Sequence, residues 1–189
     1  MIIHVPRVLW TVARGLLRSQ PGVGVANKPH TYTARANALL DIDQFMHMNN
    51  AAYAVHLELA RWEMGAASGL LSECFRRNAA FIVAANVIRY KREVRPLMAF
   101  EIDSTLVAAD NRQMYILQSV REPHGERKLL AGGLCRAVLR KGRDTISPID
   151  VFRVSGADDA VLQTISSADA QKTQRDALAR LEEMLSKDT

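Results

Sequence analysis

The chain has 189 residues and a mass of 21.0 kDa, the size of one compact domain with short extensions. Hydrophobic residues make up 48% and charged residues 24%, which excludes a disordered chain and leaves enough apolar surface for a sizeable core. The net charge of +5 lies wholly in residues 1–40, where Arg7, Arg14, Arg18, Lys28 and Arg35 meet no acid, so the body is neutral and lacks the basic patch of a nucleic-acid-binding domain.

Along the chain, Arg7, Thr11, Arg14 and Arg18 recur at steps of four, three and four and form one stripe of a helix. Val8, Leu9, Trp10, Val12, Leu16 and Leu17 occupy the rest of its surface. A basic amphipathic helix of this kind suits a membrane surface or a mitochondrial presequence. It suits equally a terminal helix docked on the domain with its arginines in solvent. The apolar run is too short, and too interrupted by Arg14, to span a bilayer. Gln20 to Lys28, with Pro21, Gly22 and Gly24, reads as a linker. Residues 1–28 are therefore expected to be a leader, 29–155 the main domain and 156–189 a tail.

Thr31 to Leu40 is a plausible first strand, and Asn50 to about Leu71 a long helix. Tyr53, Leu57, Ala60 and Met64 share one face of that helix, and Val55, Leu59, Trp62 and Ala66 a second, which predicts burial on two sides. Four strands are expected next, at Phe81–Lys91, Phe100–Val107, Gln113–Arg121 and Leu129–Arg140. Gly132 and Gly133 mark a bend or bulge in the last of them. Asp169 to Lys187 forms an amphipathic tail helix through Ala177, Leu178, Leu181 and Leu185. One strand, one long helix and four consecutive strands predict an α+β fold, a mainly antiparallel sheet packed on that helix. Cys74 and Cys135 have neither metal-ligand spacing nor the company of a disulfide framework, so an intracellular, reducing compartment is expected.

The stretch Asp41-Ile-Asp-Gln-Phe-Met-His-Met-Asn-Asn50 feeds the long helix. It gathers two carboxylates, an imidazole and two amides where the first helical N–H groups lack partners and the helix dipole favours negative charge. Asp43-x3-His47-x-Asn49-Asn50-x2-Tyr53, followed by Glu58-x-Ala60-Arg61, resembles the signature of the 4-hydroxybenzoyl-CoA thioesterase-like branch of the hotdog superfamily. Arg95 to Glu101 and Ser147-Pro148 extend the likeness, which runs from about Leu39 to Val154.

That resemblance implies a hotdog fold in which the sheet wraps the Asn50–Leu71 helix, with helical extensions at both ends. It also implies acyl-CoA thioester hydrolysis without metal or cofactor, by a homodimer or dimer of dimers that shares its active sites. Asp43 falls on the catalytic carboxylate, as nucleophile or as general base towards water. His47 is expected to orient that carboxylate or the substrate carbonyl, and Glu58 to reach the site from the partner subunit. Met46, Met48, Asn49, Asn50 and Tyr53 are the candidate substrate-binding residues. Each has a plainer role: a carboxylate ahead of a helix caps it, Asn49 and Asn50 are N-cap types, the methionines fill a core, and Glu58 and Arg61 can pair at i, i+3. Asp41 and His56 are expected to be structural. Many relatives carry Gly where Met46 stands, and a side chain tolerates positive φ poorly, so the loop is expected to differ there. A non-catalytic acyl-CoA or lipid-binding module on the same fold is the main alternative, and an enoyl-CoA hydratase, whose motif has a longer Asp–His spacing and a Pro, is a weaker one.

Overall fold

The computed structural model describes residues 4–20, 22–25, 28–166 and 170–186. Pro21 and residues 26–27 of the expected linker, and Asp169 and Lys187 at the ends of the expected tail helix, lie outside them. The elements are α1 (His4–Leu17), β1 (His30–Arg35), α2 (Asn50–Ala67), α3 (Leu70–Arg76), β2 (Ala80–Tyr90), β3 (Ala99–Ala109), β4 (Met114–Arg121), β5 (Leu129–Lys141), β6 (Asp144–Ile146), α4 (Pro148–Val154), α5 (Asp159–Ile165) and α6 (Ala170–Ser186).

The strands pair antiparallel in the order β1-β3-β4-β5-β2, and β6 pairs with the end of β5 beyond the reach of β4. Alternate residues of the central strands serve opposite faces of the sheet. Met114 and Ile116 of β4 turn to the side where Met64 of α2 sits, whereas Tyr115 and Leu117 turn to α6. Farther along α2, Tyr53, Leu57 and Ala60 pack with Phe100, Ile102, Val120 and Leu130. β3, β4 and β5 are therefore covered on both faces, by α2 on one and α6 on the other. Each large apolar side chain buried in this way contributes about 1.5–3 kcal/mol.

The register of β5 is regular at Gly132 and Gly133 themselves; the irregularities lie at Val83/Ala85 in the pairing with β2 and at Val120/Arg121 in the pairing with β4, where Leu130 of β5 is the extra residue. The two glycines instead let neighbours approach. A Cβ on Gly132 would stand 2.6 Å from the Met184 methyl of α6, and one on Gly133 3.2 Å from Leu57 of α2. The long helix also stops earlier than its periodicity predicts. Ser68 caps it, Gly69 takes φ +82, and α3 restarts at Leu70 on a new axis. The first strand likewise ends at Arg35, and Asn37 to Asn49 form a loop.

α1 lies on α2 with its basic stripe turned inward. Thr11 and Gly15 are buried beneath it, and Arg14 Nη2 sits 3.1 Å from Oε2 of the fully buried Glu63. Arg18 Nη1 and His30 Nε2 each approach Glu63 Oε1 at 3.4 Å. The outward side of α1 is apolar, with Trp10 66% and Leu17 87% exposed alongside Val5, Leu9 and Leu16. Docked helices were expected to leave arginines in solvent; here α1 buries its polar stripe because Glu63 and Asp41 of the body are buried acids that require cations. Among the described residues, no helix is long and apolar enough to cross a membrane.

Candidate active site

The loop between β1 and α2 is built on Asp41. Its Oδ2 accepts from the Asn37 N–H at 2.8 Å and from His56 Nε2 at 2.9 Å, while its backbone carbonyl receives the Asn49 N–H. The other ring nitrogen of His56, Nδ1, shares a hydrogen bond with Tyr32 Oη at 3.3 Å. Arg7 of α1 completes the group, 3.8 Å from Asp41 and 3.2 Å from the His56 ring nitrogen. Burial alone would raise the Asp41 carboxyl. The His56 and Asn37 hydrogen bonds and the charges of His56 and Arg7 together hold it below its usual range. Asp41 and His56 thus anchor the loop, in line with their expected structural roles.

From that anchor the chain makes a tight turn. The Met46 N–H donates to Asp43 O at 3.1 Å, the Asp43 N–H donates to His47 O at 3.0 Å, and an isolated bridge joins Ile42 to Met48. Met46 adopts φ +64. The turn therefore keeps the left-handed geometry that glycine would enter freely, at a strain of about 1–2 kcal/mol. The chain absorbs the missing glycine as strain.

This turn presents Asp43 with its side chain 21% exposed. Oδ1 accepts from the Phe45 N–H at 2.9 Å, and Oδ2 lies 3.5 Å from His47 Nδ1. The Phe45 ring stacks on His47 at 6.0 Å. Asn49 caps α2, its Oδ1 accepting from the Ala52 N–H. Tyr53 N–H donates to Asn49 O. The backbone N–H groups of His47, in the Asp43 turn, and of Asn50 and Ala51, in the first turn of α2, have no acceptor among the described residues. Met48 is buried and Met46 exposed, and Asn50 is exposed in the first turn. Tyr53 is buried beside Tyr90 with its hydroxyl 3.5 Å from Arg92 O; burial and Tyr90 push its phenol up to about 12.

Glu58 stands apart from Asp43 and His47 within the chain. It accepts from Trp62 Nε1 at 3.3 Å and lies 3.4 Å from His4 of α1. With Val55, Arg61, Leu70, Cys74 and Phe81 it lines a cavity of about 390 Å³ between α2, α3 and β2. The expected Glu58–Arg61 pair does not form among the described contacts; Arg61 reaches instead to Gln118 at 2.7 Å. Sequence reading missed this cavity because it ran α2 into α3, whose Ser68-Gly69 start was its only signal. Burial and the neighbouring Glu73 push the Cys74 thiol up to about 11, and burial also raises Cys135, so neither supplies a thiolate at neutral pH. No metal-binding group of three ligands occurs among the described residues.

An antiparallel sheet curled on one central helix, with a carboxylate turn at that helix's N-terminus, is the hotdog arrangement. The chain belongs to the thioesterase-like superfamily, which matches residues 38–184. It is 31% identical over 115 residues to the protein THEM6 of Xenopus laevis, a match covering 58% of this chain and 55% of that protein, so the chain spans about half the length of that relative. Among solved structures it resembles the YbaW Probable Thioesterase of Escherichia coli, with TM-score 0.60 and 21% identity over 71% of this chain and 98% of that one. It also resembles SAV2348 of Staphylococcus aureus, solved in complex with CoA, with TM-score 0.61 and 14% identity over 80% and 92% of the two chains. These structures share the fold with it.

Proposed function

We propose that the chain hydrolyses acyl-CoA thioesters at the Asp43 turn. The observation that carries this reading is a solvent-reachable carboxylate, steered by the Phe45 N–H and His47, with unpartnered backbone donors in its own turn and in the first turn of α2, in a chain of the thioesterase-like superfamily. Asp43 attacks the thioester carbonyl or takes a proton from the water that does. The His47, Asn50 and Ala51 amides receive the charge that develops on the carbonyl oxygen, and one such donor is commonly worth about 100- to 1000-fold in rate. The C–S bond then breaks, CoA leaves as the thiol after protonation, and water supplies the oxygen of the free acid.

The site requires a second copy. β2 is an edge strand of eleven residues with Ile82, Val83, Val87 and Tyr90 exposed, an open ladder that needs cover. Joining two copies there would also cap the cavity that borders β2 and let Glu58 of one copy approach the Asp43 turn of the other. The outward apolar side of α1 is the surface through which the chain would meet a lipid interface.

The test is release of free CoA from a panel of acyl-CoA thioesters. Asp43→Ala or Asp43→Asn is expected to lower turnover on the order of 100- to 10,000-fold with the fold intact. Wild-type turnover in Asp43→Ala sinks the assignment, and binding without turnover in the wild type makes the chain an acyl-CoA-binding module. Light scattering at micromolar concentration is expected to give at least twice the 21.0 kDa of one chain.

A further inference from the structure

Arg61 is an odd residue to find in the wall of an apolar cavity. It is 8% exposed, on the fourth turn of α2. Its Nη1 donates to Gln118 Oε1 at 2.7 Å, and Gln118 is itself fixed by donating to Leu57 O and Ser104 Oγ at 3.0 Å. A guanidinium has five N–H donors and keeps its charge at all ordinary pH. The other four have no acceptor among the described residues, and no carboxylate there forms an ion pair with Arg61. Glu58, one turn earlier, is engaged by Trp62 and His4 instead. Desolvation works against the Arg61 charge, which shows in its lowered proton affinity. Cys135 and Glu58 act the other way, but neither forms a hydrogen bond or ion pair with the guanidinium among the described residues, and the walls beside it, Val55, Leu70 and Phe81, are apolar.

A buried cation with no ion-paired anion is rare because its desolvation is poorly compensated. If Arg61 served only to hold Gln118, one neutral hydrogen bond would do, and a lysine or glutamine could make it without four idle donors. A planar fork facing a ligand-sized cavity is instead the geometry that grips a carboxylate with two parallel bonds. We propose that the cavity receives an acyl group that ends in a carboxylate, and that Arg61 selects it. This rests on the proposed thioester hydrolysis, with the cavity beside Glu58 and β2 taken as the place of the acyl chain, and it narrows the substrate class from acyl-CoA thioesters in general to ω-carboxyacyl ones. The ammonium of an ω-aminoacyl chain is excluded by like charge, and a plain hydrocarbon chain leaves the guanidinium as it stands.

The experiment compares two non-hydrolysable thioether analogues of CoA with the same eight-carbon chain, one ending in methyl and one in carboxylate. Titration calorimetry on the whole 189-residue chain is expected to show the carboxylate form binding about 10- to 100-fold tighter, the scale of a charge-assisted bidentate contact. Arg61→Gln should erase that ratio while leaving the methyl form's affinity within about threefold, and Arg61→Lys, which keeps charge but loses the fork, should retain part of it. Equal binding of the two forms by the wild-type protein overturns the inference. So does an Arg61→Gln protein that weakens both forms alike, since a scaffold role moves affinity but not the ratio. Because binding is read without turnover, a protein that hydrolyses no thioester defeats the proposed activity and still leaves this inference decided by its own measurement.

Discussion

α1 and α6 are both terminal amphipathic helices, and they dock by opposite faces. α6 follows the ordinary rule: Ala177 and Leu181 are buried against Val107, Tyr115 and Leu134 of the sheet, and its charged residues face solvent. α1 inverts it, setting Arg7, Arg14 and Arg18 against Asp41 and Glu63 and leaving Leu9, Trp10, Leu16 and Leu17 outside. Periodicity establishes that a helix has two faces. Which face docks depends on what the body offers, and α2 offers α1 a buried acid where the sheet offers α6 an apolar floor. The two helices also differ in reach. α1 touches the Asp41–His56 anchor of the active-site loop, whereas α6 covers the opposite side of the sheet.

The sharpest way to break this comparison is at Glu63. Glu63→Gln keeps the shape but leaves Arg14 and His30 beside a neutral group, with Arg18 half in solvent. Removing one partner of a buried pair costs about 3–5 kcal/mol, so the urea midpoint should fall steeply and α1 should become protease-sensitive. Little change would mean that α1 is held by its backbone fit alone. Leu181→Ala, at a side chain 1% exposed under α6, should cost about 2–4 kcal/mol by leaving a cavity. Its turnover at saturating acyl-CoA should match the wild type, because among the described residues α6 packs on β3, β4 and β5 and not on the Asp43 turn. Activity lost in proportion to stability would show that the two faces of the sheet are not independent.

Much of this frame was legible from residue order. The two-sided apolar pattern of α2, the four strands that follow it and the Asp43-to-Tyr53 signature led to the α+β architecture and to the superfamily. What stayed hidden were facts of approach between distant segments. Nothing local to Arg7 or Arg14 says that Asp41 and Glu63 will be buried beneath them, and nothing near Arg61 says that Gln118 will leave most of its donors idle. Gly132 and Gly133 illustrate the limit: in the sequence they read as a bend or bulge, whereas in the fold they make room for Met184 and Leu57. The site was legible as a loop and illegible as a pocket, because the cavity is walled by α3 and β2 rather than by the motif.

Glycines sharpen the comparison further, because each helix rests on one close approach. A Cβ on Gly15 would meet Glu63 O at 2.5 Å and Ala66 Cβ at 2.7 Å, both rigid parts of α2. A Cβ on Gly132 would meet the ends of Met184, Leu181 and Leu185, which can turn aside. Gly15→Ala is therefore expected to cost about 1–3 kcal/mol by overpacking, even though alanine is the better helix former, while Gly132→Ala should cost less than about 1 kcal/mol. Thermal melts of the two variants rank them directly, and the reverse order would place the tighter interface under α6.

The smallest expected effect on stability falls on the outward side of α1, and it is the one that gives the inversion a purpose. Leu9 and Trp10 are 65% and 66% exposed and bury little against the body, so Leu9→Glu with Trp10→Glu should change stability by no more than about 0.5 kcal/mol. If the apolar face is merely the unused side of a docked helix, nothing else follows. If it meets a lipid interface, the wild-type chain should co-sediment with phosphatidylcholine vesicles and the double variant should not, since two carboxylates would have to enter the headgroup region with the indole and the leucine gone. Adding anionic lipid separates the contributions. Because Arg7 and Arg14 are committed to Asp41 and Glu63, binding carried by the apolar face should strengthen only modestly, whereas binding carried by freed arginines should gain on the order of 1 kcal/mol per charge and vanish in high salt. A steep salt dependence would thus show that α1 turns over at the surface and abandons the docked arrangement seen here.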